Sequence, residues 1–281
     1  MDTENRIAAM GQSLGPDVLQ AVRDLFSAEQ ERLADERPAS AVDLPYGPHE
    51  RHRLDVYRPD CSASAPILVF VHGGGFLKGD KGDQGSWANA NVGRMAAKAG
   101  FLGIVINYRL APGHVWPAGS QDVAAVVAWL KNHAASHGGD AGRIVLAGTS
   151  AGAVHVAGYL KLAGTRDIRA AVLLSGLYGY TPLDERDSAY YGDPALYPQR
   201  MPLEAVAGTD LPLFIACAGH DPARFQREFL GLMQDRVARH GTMPRATVLQ
   251  GHNHYSMPMH LGTADRRLAD AICAFVRETT L

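Results

Sequence analysis

The residues best able to do covalent chemistry are Gly148-Thr149-Ser150-Ala151-Gly152, directly after the apolar run 144–147 and ahead of an apolar helical stretch. A serine hydroxyl is a weak nucleophile and reacts only beside a base that takes its proton. The flanking glycines permit a sharp strand-to-helix turn that lifts the Ser150 hydroxyl off the sheet edge, with a helix N-terminus facing the reacting carbonyl. The pattern alone also fits an ordinary glycine-rich turn, so its position between strand and helix carries the weight. A second signal, His72-Gly73-Gly74-Gly75-Phe76, follows the run 67–71. Acyl transfer needs amide donors aimed at a developing oxyanion, and glycines let bare backbone approach a substrate. A phosphate loop would close on Gly-Lys-Ser/Thr, which Phe76-Leu77-Lys78-Gly79 does not supply.

The base and its orienting acid must arrive from the ends of other strands. After Ser150 the next acid at such an end is Asp221, in Ala218-Gly219-His220-Asp221-Pro222, and the next histidines are His252 and His254, in Gly251-His252-Asn253-His254-Tyr255. The order Ser, Asp, His suits a strand–turn–helix nucleophile. By itself Asp221 also reads as a turn or cap residue. A metal cluster of His220, Asp221, His252 and His254 is the competing reading, but no cysteine pair or HExxH pattern supports it, and no metal is expected.

These groups need a frame that holds several strand ends together. The apolar runs 67–71, 102–106, 144–147, 171–174, 213–218 and 247–249 alternate with helical stretches at 121–133, 151–162, 225–240 and 265–277. Continuous apolar strands flanked by helices are buried on both faces, which predicts a mostly parallel sheet with ligands bound beyond its carboxyl edge. An amphipathic helix is expected over 19–33, followed by a linker at 36–48 that carries three prolines. The stretch 177–203 is too long for a plain connection and predicts a loop or cover insertion. Its tyrosines Tyr178, Tyr180, Tyr190, Tyr191 and Tyr197 are candidates for one wall of the substrate site.

Composition narrows the partners. The 281 residues carry 27 basic and 29 acidic side chains, a net charge of -2, which argues against nucleic acid. No apolar run approaches the roughly 20 residues needed to span a bilayer, and no secretory leader is read at residues 1–18. Cys61, Cys217 and Cys273 are scattered and unpaired in spacing, which predicts a reducing, cytoplasmic setting. Cys217 lies in an apolar strand and reads as a buried, inert thiol.

Taken in order, HGGGF at 72–76, Asn107-Tyr108-Arg109-Leu110-Ala111-Pro112, GTSAG at 148–152 and His-Asp-Pro at 220–222 resemble the α/β-hydrolase superfamily, specifically its hormone-sensitive-lipase-like esterases. The resemblance covers about residues 50–280. Ser-Gly-Leu-Tyr at 175–178 and Asn-His-Tyr-Ser at 253–256 look more like small carboxylesterases related to kynurenine formamidases. It implies an eight-stranded, mostly parallel sheet flanked by helices, with residues 1–40 as a helical cap segment and 41–281 as the catalytic domain. It also implies Ser150 as nucleophile, His254 rather than His252 as base, Asp221 as orienting acid, and the N–H groups of Gly74, Gly75 and Ala151 as the oxyanion hole. His72 and the 107–112 run are expected to shape the site. The expected activity is hydrolysis of short-chain or aromatic carboxylic esters through an acyl-enzyme, with a small-molecule ester as partner and no cofactor. An arylformamidase with the same triad is the alternative, and a non-catalytic small-ligand receptor a more distant one. Oligomeric state stays open, with a homodimer admissible.

Overall fold

The structure is a computed structural model that describes residues 2–60, 64–82 and 86–281; Cys61 lies outside the described residues. One eight-stranded sheet organises the chain, in the order β1-β2-β4-β3-β5-β6-β7-β8. The strands are β1 (Ala41–Pro45), β2 (Arg53–Tyr57), β3 (Ala65–Val71), β4 (Leu102–Ile106), β5 (Gly139–Thr149), β6 (Ala170–Leu174), β7 (Leu213–His220) and β8 (Arg245–Asn253). Strand β2 runs antiparallel to both β1 and β4, and every pairing from β4 to β8 is parallel.

Alternation along the strands builds two apolar layers. Ile67, Val69 and Val71 of β3 face one side, together with Val123, Val126 and Leu130 of α4 (Ala118–His133) and Val156 and Leu160 of α5 (Ala151–Ala163). Leu68 and Phe70 face the other side, with Val92 and Met95 of α3 (Ala90–Lys98) and Ile272 and Phe275 of α11 (Arg267–Thr279). Each such side chain, fully buried, is worth about 1.5–3 kcal/mol. Two helical layers on a parallel sheet therefore explain why the runs carry no polar alternation.

The first two strands depart from the sequence reading. The stretch 36–48 is not a plain linker, because it contains β1, an edge strand whose Val42 is exposed and where prolines cost no ladder bond. Strand β2 escapes a search for apolar runs because Asp55 interrupts it. That carboxylate is buried on the Lys81 ammonium, with Oδ1 and Oδ2 at 2.9 and 3.0 Å. The amphipathic stretch 19–33 is part of a longer helix α2 (Pro16–Glu36), preceded by α1 (Thr3–Met10) with Asp2 as its N-cap. Among the described residues no helix is long and apolar enough to cross a membrane.

The insertion after β6 folds into short helical turns, α6 (Ser188–Tyr191), α7 (Tyr197–Arg200) and α8 (Leu203–Ala207). One carboxylate attaches its start to the body. Glu228, fully buried on α9 (Ala223–His240), accepts the backbone N–H groups of Tyr178, Gly179, Tyr180 and Thr181 at 2.7–3.2 Å and the Thr181 hydroxyl at 2.5 Å. Four successive amides thus form a nest around an anion. Arg224, one turn earlier on α9, holds the carboxylate of Asp187 at 2.5 Å. Glu228→Gln sets an amide N–H against these donors and is expected to lower stability by roughly 3 kcal/mol, the cost of unpaired buried groups. Urea unfolding measures this, and a loss under about 1 kcal/mol would show that the nest is not what secures the insertion.

Candidate active site

Ser150 stands between β5 and α5, as the N-cap of α5, with φ 53° and ψ −122°, a backbone region that non-glycine residues rarely occupy and that costs on the order of 1–3 kcal/mol. Its N–H donates to the Leu174 carbonyl of β6 at 2.8 Å, and its carbonyl accepts from Val154 in the first turn of α5. The motif's glycines are required by backbone approach. A Cβ at Gly152 would stand 2.0 Å from the Val71 carbonyl oxygen, and one at Gly148 would stand 2.4 Å from the Gly152 oxygen. Helix α5 is therefore pressed onto the ends of β3 and β5, which forces the tight turn. Ser150 is half-buried, and its hydroxyl makes no hydrogen bond to any described residue.

Asp221 follows β7 and is fully buried. Its Oδ1 accepts from His254 Nδ1 at 2.7 Å; its Oδ2 accepts from the Ala218 N–H at 2.7 Å and the Ser175 hydroxyl at 2.5 Å. A carboxylate only accepts, so Nδ1 of His254 carries the ring proton and Nε2 presents a lone pair. Ser175 stands at the end of β6 with φ 46° and donates its N–H to Ala216 of β7. The acid is thus held by groups from two neighbouring strands. The Phe225 ring lies 4.3 Å from the imidazole.

The two candidate histidines separate because the chain leaves β8 at Asn253. Ser256 clamps the turn, accepting the Asn253 N–H on Oγ at 2.8 Å and donating its own N–H to Asn253 Oδ1 at 2.9 Å. His254 then reaches Asp221, whereas His252 turns to the Ser256 hydroxyl and Asp265, each at 3.1 Å. The four-residue metal grouping weighed from the sequence is therefore not assembled.

The glycine loop passes against the elbow, since a Cβ at Gly73 would lie 3.2 Å from Ser150 Cβ. Gly74 adopts φ 130° and Gly75 φ 60°, and a Cβ at Gly74 would collide with the Lys78 carbonyl oxygen at 1.9 Å. The N–H groups of Gly74, Gly75 and Ala151 donate to no described residue. His72 props the loop from beneath: Nδ1 meets the Gly73 carbonyl at 2.6 Å, the ring stacks on Tyr108 at 4.4 Å, and burial pushes its pKa down to about 4. In the 107–112 run, Arg109 pairs with buried Asp122 at 2.7 Å, and Asn107 accepts the Lys81 N–H at 2.7 Å. Arg51, which no motif singles out, bonds the carbonyls of Tyr108 and Gly79 at 2.8 and 2.9 Å and so joins the two loops.

Above the elbow, Ala151 and Val154 share an apolar cluster with Phe76, Leu177, Tyr190, Tyr191, Tyr197, Met201 and Phe225. Phe76 stacks on Tyr190 at 4.4 Å and 7°, and Tyr191 meets Tyr197 edge-on at 5.3 Å. Three of the five candidate wall tyrosines therefore lie here. Tyr178 instead fills the sheet core, and Tyr180 bonds Asp235 on α9 at 2.8 Å. The N-terminal segment adds Leu14, whose carbonyl accepts the hydroxyl of Tyr255, the residue after His254, at 2.6 Å. Burial pushes the thiol of Cys217, within β7, up to about 12.

Ser175→Ala removes one donor from the acid and is expected to lower kcat about tenfold with KM little changed, since a bond to a charged group is worth roughly 1.5 kcal/mol. Steady-state kinetics on a p-nitrophenyl ester checks this; an unchanged kcat would make the bond irrelevant to turnover.

Comparison with known proteins agrees with this geometry. The BD-FAE family model matches residues 54–173. Esterase LipQ of Mycobacterium tuberculosis is 27% identical over 270 residues, covering 85% of this chain and 62% of that protein. Carboxylesterase NlhH of the same organism is 32% identical over 191 residues, covering 57% of each. The chain thus spans less than two thirds of the length of either relative. A hyperthermophilic esterase from Pyrobaculum calidifontis superposes with a TM-score of 0.69 at 23% identity, covering 98% of this chain and 96% of the other. A parallel sheet with an antiparallel start, a strained serine elbow and these likenesses together give the chain the α/β-hydrolase fold, and its sequence is similar to those of esterases over much of its length.

Proposed function

We propose that the protein is a serine carboxylic-ester hydrolase that works through an acyl-enzyme on short-chain or aromatic esters. The observation that carries this reading is the 2.7 Å bond from His254 Nδ1 to buried Asp221, which leaves Nε2 as a base at the sheet edge where Ser150 stands. His254 takes the Ser150 proton as Oγ attacks the ester carbonyl, and the charge on the carbonyl oxygen falls to the N–H groups of Gly74, Gly75 and Ala151. The alkoxide leaves with the proton His254 returns. Water then repeats the sequence and frees the acid. Asp221 stays ionised and stabilises the imidazolium. The names of relatives, among them LipQ as an esterase and NlhH as a carboxylesterase, support the same reaction.

The substrate class follows from the roof. Phe76, Tyr190, Tyr191 and Tyr197 occupy the space over the elbow, and the buried hydroxyl of Tyr191 has no hydrogen-bond partner among the described residues. Such a surface accepts small or aromatic groups with a polar edge better than a long alkyl chain. We place the enzyme in a reducing cytoplasm, which the free, buried thiols of Cys217 and Cys273 support. The net charge of -2 likewise supports a small molecule rather than a nucleic acid as partner.

A fluorophosphonate is expected to label wild-type protein once per chain, at Ser150, while Ser150→Ala takes no label, keeps its melting temperature and loses at least about 10³-fold in kcat. Retained labelling would move the nucleophile elsewhere. Across p-nitrophenyl esters, kcat/KM is expected to peak at acyl chains of roughly two to six carbons, because methylenes that cannot be buried add no transition-state binding. A maximum on long chains would refute the aromatic roof, and a higher kcat/KM on N-formyl aromatics than on any ester would make the enzyme a formamidase.

A further inference from the structure

A second polar group is buried between β8 and α11, away from the proposed reacting atoms. His252, His260 and Asp265 each offer one ligand atom, and the three atoms lie within 4.8 Å of one another. The two imidazole centroids are 4.1 Å apart. Both histidines are essentially inaccessible, whereas the Asp265 side chain is 27% exposed and forms the rim.

Hydrogen bonding decides which nitrogens carry protons. His260 Nδ1 faces the Ser256 carbonyl oxygen at 3.0 Å, and a carbonyl only accepts, so the proton is on Nδ1. Nε2 of His260 is then a bare lone pair, fully buried and without a partner among the described residues. A buried acceptor without a donor is unfavourable unless something electropositive meets it. His252 has an adjustable partner. Its Nδ1 lies 3.1 Å from the Ser256 hydroxyl, which itself lies 3.3 Å from the Asn253 carbonyl. Nε2 stands 3.1 Å from the Asp265 carboxylate, which only accepts, and so carries the proton; rotating the Ser256 hydroxyl toward Asn253 lets Nδ1 take that proton instead and frees the Nε2 lone pair for a cation shared with Asp265. The backbone carbonyl behind one imidazole and the hydroxyl behind the other are the kind of partners that orient metal-binding histidines.

We propose that His252, His260 and Asp265 form a binding site for one borderline divalent transition-metal cation of the zinc type. Two neutral imidazole nitrogens and a carboxylate oxygen are the donor set such a cation selects, with solvent free to complete the coordination from the rim. Arg267 shares the Asp265 carboxylate at 2.6 Å, which holds it in place and competes with the cation for it. The cation ties the end of β8 to the residue after α10 (Ser256–Met259) and to the start of α11. It therefore braces the loop that carries His254 without entering the chemistry at Ser150.

The test uses the full chain, stripped with a chelator and desalted, titrated with zinc chloride in a calorimeter near neutral pH. One equivalent is expected to bind with a micromolar Kd and to raise the melting temperature by about 5 °C at saturation. His260→Gln and Asp265→Asn are each expected to weaken binding at least about tenfold. If His260→Gln does not fold, Asp265→Asn at the rim decides the matter. Absence of a saturable equivalent, or unchanged affinity in the variants, overturns the site. The readout requires no ester turnover, so its failure leaves the hydrolase reading intact.

Discussion

A fully buried carboxylate tolerates no vacancy, and Asp221 is the group around which this molecule is arranged. Removing a charge from water is costly unless donors replace the lost solvation. Here the replacements come from three places far apart in sequence: the Ala218 amide of β7, the Ser175 hydroxyl at the end of β6 and the imidazole of His254 beyond β8. Those donors converge only while β6, β7 and β8 keep their parallel register, with Leu174 beside Ala216 and Ala218 beside Leu249. The same bonds orient the imidazole. Fold stability and the orientation of the His254 ring therefore depend on one buried side chain.

The proposed nucleophile is held by sterics rather than by charge. Ser150 occupies a strained backbone conformation because Gly148 and Gly152 let α5 sit directly on the ends of β3 and β5. The strain is tolerated because the surrounding apolar layers leave the turn no other path, as at many sites where a side chain must be offered to a substrate. The glycine loop 73–75 closes against this turn and is supported from beneath by His72, Tyr108 and Arg51. Burial drives His72 neutral, so it serves as a prop and adds no charge beneath the glycine loop.

The cover is the least regular part of the molecule; an apolar cluster packs it over the elbow, and an ion pair and a nest of amides fasten its start. Glu228 gathers four amides and Arg224 holds Asp187, so the insertion is anchored to α9, whose first turn also supplies Phe225 against His254. On the other side the α1–α2 turn reaches the site through Leu14 and Tyr255. Cover and base loop are thus mechanically joined, and a change in either reaches the substrate pocket.

Local pattern alone determined much of this protein. Runs of consecutive apolar residues identified the central parallel strands, because strands buried on both faces need no polar alternation. Glycines at fixed offsets located the Ser150 elbow and the glycine loop 73–75 that closes on it, because only glycine permits those backbone approaches. Asp55 hid β2, since a buried carboxylate breaks the apolar run that marks a strand and the Lys81 that neutralises it lies 26 residues away. Residue type did not separate His254 from His252, and only the resemblance, in which the base stands three residues after a glycine, favoured His254; the turn that Ser256 clamps at Asn253 is what brings His254 and not His252 to Asp221. Likewise Tyr178 and Tyr180 were indistinguishable from Tyr190, Tyr191 and Tyr197 as letters, and the Glu228 nest, made across about 50 residues, sent the first two to the core and to α9. Short-range geometry is written in residue type and spacing, whereas the pairing of buried charges is a property of the packed chain.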